Sequence, residues 1–79
     1  MSRGALFRLR RDTCSLESVG ERKNLIRVPQ GAVIEVFQLS LGPEGRQMAH
    51  VHWMGKTLEM FAEDVEQRGE AIQVQTTPG

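Results

Sequence analysis

His50-Val51-His52-Trp53 sets two imidazoles two positions apart. On an extended chain that spacing points both side chains to one face, about 7 Å apart along the strand. Imidazole serves as a metal ligand or a general base, and it changes charge near neutral pH. A zinc centre needs three or four His, Cys or carboxylate ligands at close range. The lone cysteine, Cys14, lies in a distant segment with no histidine near it in sequence, so it reads as a small buried or half-buried filler. Glu35 and Glu59 are the carboxylates that regular strand pairing brings beside His52 and His50, but from opposite flanks. Cross-strand His–Glu pairs, each worth a fraction of a kcal/mol, follow from that placement. No metal and no cofactor is expected. The chain also holds no glycine-rich phosphate loop, nucleophile elbow or Cys-x-x-Cys, so no catalytic residue is assigned.

The elements that must position these side chains are mainly strands. AVIEVFQLS (32–40), QMAHVHW (47–53) and KTLEMFA (56–62) form a meander, with turns at GPEG (42–45) and Met54-Gly55. ALFRLR (5–10) precedes them as a short strand, NLIRV (24–28) is a short extended segment stopped by Pro29, and EAIQV (70–74) closes the chain. Residues 12–28 read as a long loop or an extra hairpin, and EDVEQRG as a single helical turn, too short for a stable α-helix. Residues 76–79 read as a frayed tail. A two-residue turn at Met54-Gly55 puts Val51 opposite Leu58 and His50 opposite Glu59. A four-residue loop at GPEG puts Val36 opposite Val51, Glu35 opposite His52, Phe37 opposite His50 and Leu39 opposite Met48. The two hairpins agree in parity, so each face is assigned without conflict.

One face then holds Ile34, Val36, Ala49, Val51, Trp53, Leu58 and Met60. This is the core face, with Ile72, Val74 and one of Leu6 or Phe7 added from the end strands. The outer face holds Glu35, His52 and Thr57, then Phe37, His50 and Glu59, then Leu39, Met48 and Phe61. A solvated antiparallel face should be polar, whereas this one clusters Phe37, Leu39, Met48 and Phe61. An apolar patch of that kind marks a contact surface, and Phe37, Leu39, Met48, His50, Glu59 and Phe61 are its candidate interface residues. Histidines inside it would make assembly respond to pH.

Seventy-nine residues form one domain with a thin core and, with a single cysteine, no disulfide network to support it. A homo-oligomer, most simply a dimer, is therefore the expected partner arrangement, with a foreign protein partner as the other possibility. The lone cysteine and the absence of a signal-peptide or membrane-spanning apolar run predict a cytoplasmic protein without membrane contact. Net charge is zero, which argues against a nucleic-acid partner. The charge is nonetheless split, with a balance of +4 over residues 1–28 and −4 over residues 29–79. Arg3, Arg8, Arg10 and Arg11 are the candidate nucleic-acid contacts, and Phe7 among them is placed to stack on a base.

Strand, long loop, three-stranded meander, helical turn and last strand, carried by VPQGAVIEV, WMGK and MFAEDVEQRGEAIQV, resemble the SH3-like small barrel over residues 5–75. The resemblance implies an all-β, SH3-like small barrel of about five antiparallel strands, with one short helical turn before the last strand. Such barrels serve as peptide binders, translation and chromatin modules, and enzyme subunits. The small plasmid-borne dihydrofolate reductases of this fold carry a Val-Gln-Ile-Tyr strand, whose place here is TLEMF (57–61), without the glutamine and tyrosine. Peptide-binding SH3 domains read proline with tyrosines and paired tryptophans, and this chain has one tryptophan and no tyrosine. A non-catalytic binding or assembly module that self-associates through its outer sheet face is the expected function.

Overall fold

From Val33 onward, apolar and polar residues alternate with the period of two that lets a strand bury one side. In the computed structural model, which describes residues 4–72, this stretch forms β4 (Val33–Leu41), β5 (Gln47–Trp53) and β6 (Lys56–Phe61). Before them come β1 (Ala5–Leu9), β2 (Thr13–Val19) and β3 (Arg22–Val28); after them come α1 (Ala62–Arg68) and β7 (Gly69–Ile72). All pairings are antiparallel, in a seven-stranded sheet of order β3-β2-β6-β5-β4-β1-β7. The protein is thus all-β with one helix, as expected, but seven strands replace the expected five. The sheet is not closed: β3 and β7 are its two edges among the described residues.

The two additional strands come from residues 13–28, which form the β2–β3 hairpin, one of the two forms expected there, with Thr13 opposite Val28 and Val19 opposite Arg22. Its inward positions on β2 are polar, which hides the strand from a hydrophobic-periodicity reading. Thr13 and Ser15 are buried, and their hydroxyls donate to the carbonyls of Arg11 (3.1 Å) and Ile26 (2.9 Å). Burial without such partners would cost on the order of 1–3 kcal/mol per hydroxyl. The hairpin extends the sheet beside β6, through Leu16 opposite Glu59, and does not fold over the outer face. Cys14 alternates away from Thr13 and Ser15, and it is exposed rather than the buried filler expected.

The core comprises Leu9, Val28, Ile34, Ala49, Val51, Leu58, Met60 and Val65, with Phe7, Ile26, Ala32, Val36, Trp53 and Ala62 partly buried against it. All the meander residues expected in the core are there. Phe7 is the first-strand contributor and is therefore not free to stack on a base. Ile72 is not on this side: it pairs with Leu6, and Leu6 with Glu35, which puts it on the outer face. Val74 lies outside the described residues. The segment expected to make one helical turn is instead a seven-residue α-helix. An isolated peptide of that length would not hold this form. Val65, 3% exposed, packs it onto the core, and Glu63 and Asp64 in the first turn and Arg68 in the last suit the helix dipole.

Candidate functional site

The outer face depends on the register of the meander. Met54 (φ 52°) and Gly55 (φ 73°) are both in the left-handed region, as a two-residue hairpin turn matched to the strand twist requires. The β5–β6 hairpin keeps the expected register along its length, from Trp53 opposite Lys56 to Met48 opposite Phe61. Across β4–β5, Val36 opposite Val51 and Glu35 opposite His52 also stand as expected. Between Val36 and Gln38 a β-bulge intervenes, and Gln38 rather than Phe37 aligns with His50. Two consecutive residues then oppose one, so Phe37 and Gln38 both project on the histidine side.

The bulge brings Phe37 over both imidazoles. Its ring stacks on His52 at 4.0 Å between centroids and 12° between planes, and it lies 6.2 Å from the His50 ring. His52 Nδ1 and Thr57 Oγ1 are 3.4 Å apart. Beyond the bulge every residue of β4 changes sides relative to the regular register. Leu39 aligns with Ala49 and leaves the outer face, and Ser40 aligns with Met48 and joins it. Ser40 Oγ and His50 Nε2 share a hydrogen bond of 2.7 Å.

Four of the six expected interface residues, Phe37, His50, Glu59 and Phe61, therefore share the outer face in accessible or half-buried positions. Leu39 does not. It lines an apolar groove of about 200 Å³ on the core side, with Phe7, Val36, Ala49, Ala62 and Val65. Met48 has the expected parity but is 6% exposed, because the turn after β4 packs on it; a Cβ on Gly42 would fall 2.5 Å from Met48 Cγ. Arg46 of that turn lies 4.2 Å over the Phe61 ring and pairs with Glu63 at 3.2 Å. The cation–π contact covers part of Phe61. In exchange the outer face gains Leu16 and Leu25, which lie side by side on β2 and β3 next to Glu59, and Leu6 and Ile72 at its far side. The sequence signal for Leu16 and Leu25 was the alternation of NLIRV with DTCSLESV, readable only once both are known to be strands.

Chemistry at the histidines is limited by the same geometry. Among the described residues no three His, Cys, Asp or Glu side chains converge as metal ligands. Ser40 and His50 have the contact of a nucleophile and its base. Among the described residues neither ring donates to a carboxylate: the expected His50–Glu59 and His52–Glu35 pairs align across the strands without an ion pair, and the rings meet Ser40 and Thr57 instead.

Of the candidate nucleic-acid contacts, Arg3 lies outside the described residues. Arg8 stands on the outer face between Val33 and Glu70. Arg10 and Arg11 line a separate polar cavity with Gln67 and Arg68, the latter pair brought from the far end of the chain. The fold thus divides the N-terminal basic cluster between two places. Comparison of the chain with protein-family profiles, curated proteins and solved structures gave no match. No helix among the described residues is long and apolar enough to cross a membrane.

Proposed function

We propose that the protein is a non-catalytic association module, an open variant of the SH3-like architecture, that pairs with a second copy of itself through its outer sheet face. The observation that carries this reading is the exposed Phe37–His52 stack at the middle of that face. Phe37 is 40% exposed although it is a large apolar side chain, and Leu25 and Val33 on the same face are 70% and 44% exposed. With the half-buried Leu16, Leu6 and Ile72 they make this face more apolar than a solvated antiparallel face, which favours contact with another surface. A second copy suits the chemistry of the face, where Arg8, Lys23 and Arg27 accompany Glu35, Glu59 and Glu70. Charges of both signs on one patch are matched by a two-fold axis, which sets each patch against itself. The zero net charge of the chain leaves no overall repulsion between copies.

Light scattering behind a sizing column tests the proposal. Wild type is expected at the mass of two chains, and Phe37→Glu at the mass of one, with a dissociation constant raised at least about tenfold. Leu41→Glu serves as the comparison, because Leu41 is 79% exposed but lies beyond the bulge, on the other side of the sheet; it should remain a dimer. A monomeric wild type, or a Phe37→Glu variant as dimeric as wild type, would rule the outer face out.

A further inference from the structure

The open cavity at the junction of β1, β2 and α1 is lined by the exposed residues Arg10, Arg11, Gln67 and Arg68 and has a volume of about 350 Å³. Each cation arrives from a different local constraint. Arg10 follows the last residue of β1, and its N–H donates to the Arg68 carbonyl at 2.6 Å, which ties the strand end to the end of α1. Arg11 begins the turn into β2. The Arg68 guanidinium donates through Nη1 to the Asp12 carbonyl at 3.0 Å, so its position is fixed by backbone rather than by a carboxylate. The Asp12 carboxylate itself is engaged, since Oδ1 accepts from the Gln30 N–H at 2.8 Å.

Three arginines line one space, and their like charges repel each other unless an anion is near. Arg46–Glu63 is the only ion pair among the described residues, so no described carboxylate lies within ion-pair distance of these three. A structural explanation covers Arg68, a cation at the C-terminal end of a helix dipole. It does not cover Arg10 and Arg11. A guanidinium carries five N–H donors, and Arg68 uses one of them in its bond to Asp12. Planar donor forks of this type match the oxygens of phosphate better than those of any neutral ligand. Counting roughly 30 Å³ per water molecule, the cavity has room for a phosphate and for part of the group that bears it.

We propose that the cavity between Arg10, Arg11 and Arg68 binds a phosphate group, carried either by a small phosphorylated molecule or by a nucleic-acid strand. This site is separate from the outer face, and its test does not depend on self-association. The full-length protein is titrated with inorganic phosphate, and with sodium chloride at matched ionic strength, while the arginine Nε–Hε signals are followed by NMR. The signals of Arg10, Arg11 and Arg68 should move together and saturate with phosphate, with Arg22 and Arg46 unmoved. Arg11→Gln, a change at an exposed side chain with no hydrogen bond among the described residues, should weaken phosphate binding about tenfold, the scale of one charge-assisted hydrogen bond. Equal movement with chloride, no movement, or an Arg11→Gln variant that binds as wild type does, would overturn the site. Competition then separates the two sources of the same chemistry. Displacement by short oligouridine far below the concentration needed for glycerol phosphate assigns the site to a nucleic-acid strand, and the reverse order assigns it to a small phosphate ester.

Discussion

The two hairpins of the meander share β5, yet they are built differently. The β5–β6 hairpin turns on Met54 and Gly55 and runs in unbroken register to Met48 and Phe61. The β4–β5 hairpin turns through Gly42–Arg46, with the Gly42 N–H donating to the Arg46 carbonyl at 2.7 Å, and breaks register at Phe37. Its loop is one residue longer than a four-residue connection, which shifts Leu41 opposite Gln47 and inverts the end of β4. The bulge adds one residue back, so Val36 and Glu35 regain the register that the core needs. One irregularity cancels the other. The residues between them, Phe37 to Leu41, are the stretch where the aromatic–histidine stack and the Ser40–His50 bond occur. Regular pairing builds the core here, and the paired irregularities build the exposed surface.

The largest expected effect comes from testing the regular hairpin at its centre. Leu58 is fully buried opposite Val51, while Leu39, beyond the bulge, is 54% exposed. Leu58→Ala should cost about 2–5 kcal/mol in urea unfolding, through lost transfer energy and a residual cavity. Leu39→Ala should cost no more than about 0.5 kcal/mol. Comparable losses at the two sites would mean that Leu39 is buried, and that the groove beside α1 is filled in solution.

The turns give the next largest contrast. Gly55 and Gly45 both have positive φ, 73° and 74°, and neither has an atom within 4 Å of where a Cβ would stand. Only the backbone conformation then penalises alanine, by about 1–2 kcal/mol where the left-handed geometry is enforced. A two-residue turn enforces it, because register on both strands depends on it. The longer loop can redistribute its dihedral angles, so Gly45→Ala should lose less than Gly55→Ala in the same unfolding measurement. Equal losses would show the longer loop to be as rigid as the tight turn.

Legibility in the sequence follows the same division. Met54-Gly55 between alternating strands specifies a register, and with it the core positions of Val51, Leu58 and Met60. GPEG specifies a turn but not its length, and the bulge shows in the sequence only as a slip of the apolar–polar phase at Phe37, between Ile34-Glu35-Val36 and Gln38-Leu39-Ser40-Leu41. Regular pairing therefore predicts Leu39 on the outer face and the bulge turns it to the other, while Glu35–His52 and Met48–Phe61 stand as regular pairing predicts. Hydrophobic patterning leaves residues 12–28 open between a long loop and a hairpin for a different cause: Thr13 and Ser15 are buried through hydroxyl–carbonyl bonds, which such patterning does not register. Arg68 lies 57 positions beyond Arg11, and only the pairing of β1 with β7 makes it a neighbour of Arg10 and Arg11.

The smallest effect tests the bulge most directly. In an unbroken register Ser40 would project on the core side, away from His50, and Ser40→Ala would remove no bond to it. With the bulge, Ser40 Oγ meets His50 Nε2 at 2.7 Å in a half-buried position. Ser40→Ala should therefore cost about 0.5–1.5 kcal/mol, the net worth of one such bond. It should also shift the His50 ring signals in NMR while leaving those of His52, held by Phe37 and Thr57, nearly in place. A variant with unchanged stability and unmoved His50 signals would return β4 to regular pairing. Leu39 would then stand beside Met48 on the outer face, and the apolar contact surface would be centred on the end of the hairpin rather than on Phe37.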